Sequence, residues 1–368
     1  MYTALTNGII FTGEETVTGK ALILDGSRVS GLVDRGEIPA GAGIIDCNGN
    51  YIAPGLIDLQ IAGAGGYLFS ENLSAEKLSA ITDSIVRSGT TGFLLVLPTN
   101  SFDVYREAFR IVKENPHPAL LGIHLEGPYI NPARPGAHDR SLIRNPDIRE
   151  IDDLLREAEG VVKMITLAPE ICDLEFIKFI EAQGIIVAAG HSNATFKEAV
   201  AGFAHGVKAV THLFNAMSQL HHRDPGLPGA AFITENIFAS IIADGIHVDY
   251  NTLRIAKRIM GERLYLVSDA VEESPGGAYP HLRREDRFTL PDGTLSGSNL
   301  TMLKAVKNCV GNAGIQAGEA LSMGSYHPAG LINLNDKGLI APGYRADIIE
   351  FTDKFELSRV ILEGKEIK

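Results

Sequence analysis

The sequence predicts an α/β fold: a (β/α)8 TIM-like barrel with a small β-sandwich domain formed from both chain ends. Three observations predict it. Both ends read as short strands with turns, the middle does not, and the middle alternates eight apolar, β-branched runs with helical patterns. The length of 368 residues suits one large domain plus a small one. Hydrophobic residues at 45% and charged residues at 21% are ordinary for a compact chain with a large core.

Residues 1–52 carry TALTNGIIFTGEE and KALILDGSRVSGLV, with Asn7-Gly8 and Asp25-Gly26 as turn signals. Residues 337–368 have the same character in ADIIEFTD and SRVILEGKEI. Isolated short hairpins are only marginally stable, so the two ends are expected to pair into one small β-domain. Residues 53–336 form the expected barrel. Its candidate strands, in order, are YIAPGLIDLQ, TGFLLVLPT, ALLGIHLEG, VVKMITLAP, GIIVAAGH, KAVTHLFN, FASIIADG and RLYLVSDA. Nearly continuous apolar runs suit strands covered on both faces, as in a parallel sheet. Helical segments between them carry stop signals: LSAEKLSAITDSIVRSG ends in Gly89, DLEFIKFIEAQG in Gly184 and TLRIAKRIMG in Gly261. Thr195 and Glu198 are spaced for a capping box on the helix after strand five. A doubly wound sheet is the alternative. Against it, the glycines Gly63, Gly65 and Gly66 have Leu68 where a dinucleotide fingerprint needs its third glycine. The stretch from Val271 to Ser298, with Pro-Gly-Gly and Pro-Asp-Gly turns, reads as a hairpin or lid.

Charge and cysteine usage exclude several function classes. Lys and Arg total 33 against 45 Asp and Glu, a net charge of -12, which favours neither a nucleic-acid nor a membrane partner. Cys47, Cys172 and Cys309 stand far apart with no paired spacing, which fits a reducing cytoplasm rather than a disulfide framework. The start MYTALTNGII lacks the pattern of a signal peptide, and the apolar stretch Ile52 to Phe69 is interrupted by Asp58, Gln60 and glycines. A soluble cytoplasmic protein is expected. An anionic substrate then needs a local basic patch.

Barrel chemistry belongs at the C-terminal ends of strands. Gln60 ends strand one, Glu126 strand three, His191 strand five and His212 strand six; Asp244 and His247 follow strand seven, and Asp269 ends strand eight. Glu126 alone reads as a turn carboxylate, and either histidine alone as a satisfied core residue. Together at neighbouring strand ends they form a carboxylate and two imidazoles, the ligand set of a catalytic divalent metal site with an open position. His124 shares the face of Glu126 and reads as barrel interior or support for the ligands. Asp269 in LVSDA is a candidate proton shuttle, its bland alternative being a helix cap or an ion-paired carboxylate. His138 in PYINPARPGAHDR and His247 in ADGIHVD are candidate substrate contacts. His221, His222 and Arg223 form the best candidate anion site, against the alternative of a solvated loop patch, with backbone amides near Asn215 and Ala216 as further donors. His117, His205, His281 and His327 read as surface or structural.

The motifs PGLIDLQ, HLEGPYI, GHSNAT, THLFNAM, IADGIHVD, VSDA and LSGSNLTM, spread over nearly the whole chain, resemble those of the N-acetylglucosamine-6-phosphate deacetylases of the amidohydrolase superfamily. The resemblance implies metal ligands at Glu126, His191 and His212 and the acid/base at Asp269. It implies substrate contacts at Gln60, Ala137, His138, Asn215, Ala216, Arg223 and His247, with Leu295 and Gly297 of LSGS beside them, and a homodimer. The implied reaction hydrolyses the acetamide of a phosphorylated amino sugar, N-acetylglucosamine 6-phosphate, in amino-sugar catabolism. Many members of the superfamily carry His-x-His at the end of strand one for a second metal. Here Gln60-Ile61-Ala62 stands instead, which points to one divalent ion per chain: zinc suits the ligand set, with iron, manganese or cobalt as alternatives. The rival readings are a deacetylase of N-acetylgalactosamine 6-phosphate or another amidohydrolase, and a non-catalytic sugar-phosphate sensor.

Overall fold

The computed structural model describes residues 2–71, 73–274 and 276–368. Eight parallel strands make the barrel: β1 (Leu56–Ile61), β2 (Thr90–Pro98), β3 (Leu120–Glu126), β4 (Val162–Leu167), β5 (Ile186–Ala189), β6 (Val207–Val210), β7 (Phe238–Ile242) and β8 (Leu264–Val267). Each pairs with its neighbours in sequence order, as successive β/α units dictate. The seam between β8 and β1 closes through Asp269 N–H to Gln60 O at 2.9 Å and Ala62 N–H to Ala270 O at 2.9 Å. All six residues of β1 are buried, and so are the first eight of β2, which is why these strands read as unbroken apolar runs.

A helix follows each strand: α1 (Ala75–Arg87), α2 (Phe102–Glu114), α3 (Ile148–Glu157), α4 (Leu174–Ala182), α5 (Phe196–Ala204), α6 (Gly226–Ile233), α7 (Tyr250–Met260) and α8 (Met302–Gly311). Their ends show why they start and stop there. Ser74 and Ser101 accept N-terminal amide hydrogens of α1 and α2, and Thr195 with Glu198 forms the full capping box of α5. Helix α1 buries Leu78, Ile81, Thr82, Ile85 and Val86, one face at helical spacing, against the barrel core. Among the described residues, no helix is long and apolar enough to cross a membrane.

The chain ends meet in two sheets. One orders the strands Arg28–Val33, Ala21–Asp25, Tyr2–Thr6 and Gly43–Asp46. The other, of six strands, sets Ile348–Phe351 antiparallel to Tyr51–Pro54, with Ile348 opposite Pro54 and Phe351 opposite Tyr51. Leu5, Leu22, Leu24, Ile52, Ile348 and Ile361 share one small core between the sheets. Lys337 ties this part to the barrel: its buried ammonium bonds Thr91 O at 3.0 Å and pairs with Asp347.

Two sequence expectations shift here. The run YIAPGLIDLQ is two strands, Tyr51–Pro54 in the terminal sheet and β1 in the barrel. They break at Gly55, whose Cα lies so close to the Thr91 side chain that no Cβ fits. The stretch after β8 is a hairpin, with Leu282–Arg283 antiparallel to Phe288–Thr289; Pro275 of its expected Pro-Gly-Gly turn lies outside the described residues.

Candidate active site

The strand-end residues converge. His191 Nε2 and His212 Nε2 lie 3.2 and 3.1 Å from Glu126 Oε1, and 3.1 Å from each other. Ligands about 2.0–2.1 Å from a tetrahedral ion stand about 3.3 Å apart, so these three atoms fit around one such ion after shifts of tenths of an ångström. The Arg134 carbonyl, 3.0 Å from His191 Nδ1, can only accept, so Nδ1 carries the hydrogen and Nε2 turns its lone pair to the cluster. Among the described residues, Glu126, His191 and His212 form the one three-residue group of His, Cys, Asp and Glu with metal-binding spacing.

Gln60 and Asp269 complete the floor of this centre. Gln60 Nε2 donates to Glu126 Oε1 at 3.1 Å and to Asp269 Oδ1 at 3.0 Å. Its amide therefore acts as a double donor between two carboxylates. Burial, then the Glu126 carboxylate, push Asp269 up to about 7. Burial also works to raise Glu126, but the imidazoles of His138, His191 and His212 gathered around it outweigh burial and hold Glu126 well below the usual range. Burial, with His138 beside it, brings His191 down to about 4. His212 is pulled down by burial as well, yet its bond to the Glu126 carboxylate and the charge of that group raise it above its ordinary value.

The backbone is strained where these side chains emerge. His191 (φ 47°), His212 (φ 34°), Phe214 (φ 80°), Ala216 (φ 47°) and Asp269 (φ 51°) all adopt left-handed conformations without being glycine. Each such residue costs of order 1–3 kcal/mol and persists only where its surroundings over-determine it, which is characteristic of functional sites.

Above the floor opens a cavity of about 320 Å³. Glu126, His191, His212 and Asp269 line it, and so do the sequence candidates Ala137, His138, Asn215, Ala216, His247, Leu295 and Gly297. His138 Nε2 stands 3.6 Å from Glu126 Oε2, with the His138 ring 4.3 Å from that of His191. His247 Nδ1 lies 2.6 Å from Asp244 Oδ2. His124 is interior, held by Leu59 O and Thr166 Oγ1 beneath the cluster.

Arg223 is not brought in. It is exposed with His221 and His222 in a tight turn where His221 and Asp224 pair, and among the described residues no lysine or arginine lines the cavity. His281, expected to be surface or structural, is 5% exposed, its Nδ1 2.9 Å from Ser296 Oγ, and it also forms part of the cavity wall. Tyr279 of the same hairpin also lines the wall and donates to Thr99 O. Thr99 in turn holds His138, its Oγ1 2.8 Å and its N–H 3.3 Å from Nδ1. Thr99 stands at the end of a candidate strand, so the strand-end rule itself would have selected it.

The comparisons with known proteins agree with this architecture. A model of the amidohydrolase family matches residues 51–367, and one described as the NagA composite domain matches residues 1–52. The N-acetylglucosamine-6-phosphate deacetylase of Haemophilus influenzae is 32% identical over 378 residues, covering 98% of each chain. The crystal structure of N-acetylglucosamine-6-phosphate deacetylase from Pasteurella multocida superposes with a TM-score of 0.95 at 32% identity, over 100% of this chain and 99% of that one. A mutant of the Mycobacterium smegmatis enzyme in complex with N-acetyl-D-glucosamine-6-phosphate gives 0.91 at 26% identity, over 100% and 99%. Matches of this extent, end to end and on the same barrel, leave one assignment: the chain belongs to the amidohydrolase family.

Proposed function

We propose that this chain hydrolyses the acetamide of N-acetylglucosamine 6-phosphate, releasing acetate and glucosamine 6-phosphate. The observation that carries the reading is Asp269 set across Gln60 from the Glu126–His191–His212 cluster at the floor of the cavity. We propose that this cluster holds one divalent ion, zinc foremost, because Gln60-Ile61-Ala62 supplies no imidazole for a second. Such an ion supplies Lewis acidity toward the amide carbonyl and lowers the pKa of water.

The residues divide the remaining work. Asp269, raised to about 7, is suited to take a proton from the attacking water near neutral pH and to hand it to the departing amine nitrogen. His138 and His247 take opposite tautomers. The Thr99 N–H points at His138 Nδ1, which therefore keeps its lone pair and leaves Nε2–H as a donor toward the reacting carbonyl oxygen. His247 instead donates from Nδ1 to the Asp244 carboxylate, which leaves Nε2 for a sugar hydroxyl. Asn215, Ala216, Leu295 and Gly297 shape the sugar pocket. Arg223 we assign to the 6-phosphate; since it stands outside the wall of its own cavity, that role places it at the mouth of a partner's cavity in a homodimer.

We read residues 1–52 and 337–368 as the small β-domain and 53–336 as the catalytic barrel. Three buried, unpaired cysteines support a cytoplasmic location. The test is acetate release from phosphorylated and unphosphorylated N-acetyl amino sugars, with metal content measured on the same sample.

A further inference from the structure

One buried carboxylate has no part in the chemistry above. Asp58, on β1, is 1% exposed, and its partners are all neutral donors. Oδ1 accepts from Gln60 N at 3.1 Å and from Ser268 N at 3.2 Å, and Oδ2 accepts from Ser268 Oγ. Burial pushes its carboxyl up to about 6, so it is held there at a cost.

Its position gives that cost a purpose. Backbone pairing at the β8/β1 seam is confined to the Gln60–Ala62 level. Below it, Ile57 N–H turns away to Gly324 O at 2.7 Å instead of crossing to β8. The Asp58 side chain bridges the seam in place of the missing ladder bonds. On the far side it grips Ser268, whose Oγ accepts from Ala270 N at 3.1 Å, so both neighbours of Asp269 in the chain are tied to one buried network. Between them Asp269 sits at φ 51°, a conformation that relaxes without such anchors. On the near side Asp58 holds the Gln60 backbone, and Gln60 Nε2 reaches Asp269 Oδ1 at 3.0 Å. Asp58 thus acts on the Asp269 carboxylate from two directions while touching neither it nor the cavity that receives substrate.

We propose that Asp58 is a positioning residue for the hydrolysis: by clamping Ser268 and Gln60 across the barrel seam it aims the Asp269 carboxylate at the reacting centre. The proposal rests on the reading of Asp269 as the proton acceptor. Asp58→Ala removes the clamp. A displacement near 1 Å at a reacting group costs on the order of 100-fold in rate, so kcat for acetate release should fall about 30- to 100-fold. KM should stay within about twofold and metal content unchanged, because Asp58 bonds neither the ligands Glu126, His191 and His212 nor Asn215, Ala216, Leu295 and Gly297, which line the sugar pocket. Asp58→Asn keeps a carbonyl oxygen for the two N–H donors, and the Ser268 hydroxyl can turn to Gln60 O, 3.5 Å away, so kcat should recover to within about fivefold of wild type. If Asp58→Ala does not fold, Ser268→Ala decides: it removes only the hydroxyl contact and should lower kcat about tenfold at unchanged KM. A folded Asp58→Ala with wild-type kcat overturns the proposal. So does an Asn variant as damaged as the Ala variant, joint loss of metal and turnover, or an unimpaired Ser268→Ala where Asp58→Ala cannot be made. Asp269→Asn is measured in parallel. If it retains turnover, the reading of the base fails and the Asp58 proposal with it; if it is inactive while Asp58→Ala matches wild type, only the Asp58 proposal falls.

Discussion

Metal loading of this site should displace protons, and the structure sets how many. The ion needs Glu126 ionised and both imidazoles neutral. Glu126 lies well below its usual range and His191 is brought down to about 4, so neither exchanges a proton with the ion near neutral pH. His212, raised above its ordinary value, is the imidazole that takes one up as the pH falls below neutral. Asp269, raised to about 7, carries a second, and a cation in the same pocket favours its ionised form. A group protonated only in the metal-free state competes with the metal, so affinity is full above its metal-free pKa and falls as pH drops below it. Each such proton costs about tenfold in Kd, about 1.4 kcal/mol, per pH unit. Below both pKa values the wild-type Kd should weaken by up to about 100-fold per unit, and that of Asp269→Asn, with His212 alone competing, by about tenfold. Calorimetric zinc titrations near pH 6, in buffers of different ionisation enthalpy, count the protons directly. The wild type should release about one proton more than the variant, the one held by Asp269. Equal counts in the two proteins would show that Asp269 is not electrostatically coupled to the metal site, and the account of its raised pKa would be wrong.

Other outcomes follow from individual contacts. Arg223→Ala should weaken kcat/KM on the phosphorylated substrate by roughly 10- to 150-fold, the worth of a charge-assisted hydrogen bond at about 1.5–3 kcal/mol, with little effect on the unphosphorylated acetamide. Equal losses on both substrates would remove Arg223 from phosphate recognition. Elemental analysis should find one tightly bound metal per chain, and two would contradict the reading of Gln60-Ile61-Ala62. Lys337→Met strands the buried Asp347 carboxylate at the junction of barrel and terminal sheet, and urea unfolding should show a loss of about 3–5 kcal/mol. A change below about 1 kcal/mol would mean that the pair is not a structural tie.

Much of this site was legible because barrel topology converts strand order into spatial proximity. Once eight strands are recognised, Gln60, Glu126, His191, His212 and Asp269 must face one another at the same end, however far apart in sequence. What escaped depends on chain reversals that no local pattern encodes. Arg223 follows strand six closely in sequence, but the turn closed by His221 and Asp224 points it outward, and sequence distance from a strand end does not distinguish the two directions. Tyr279 and His281 reach the cavity only because their hairpin folds back over the mouth, where Tyr279 meets Thr99 across 180 residues of chain. Asp58 looked like an interruption in an apolar run; its partner Ser268 lies 210 residues away on the other side of the seam. The terminal sheets show the same division. Ile348–Phe351 was visible in ADIIEFTD, but Tyr51–Pro54 read as the start of the barrel run YIAPGLIDLQ, because the one-residue break at Gly55, against the Thr91 side chain of the next barrel strand, leaves no local pattern.

Acetate release from N-acetylglucosamine 6-phosphate decides the assignment, measured on metal-loaded wild type and Asp269→Asn with metal content determined on the same samples. The wild type should release acetate rapidly and only when metal is bound, and release should be almost completely lost in a variant that still holds its metal. A wild type that binds the phosphosugar without releasing acetate, or an Asp269→Asn protein that turns over normally, would contradict it.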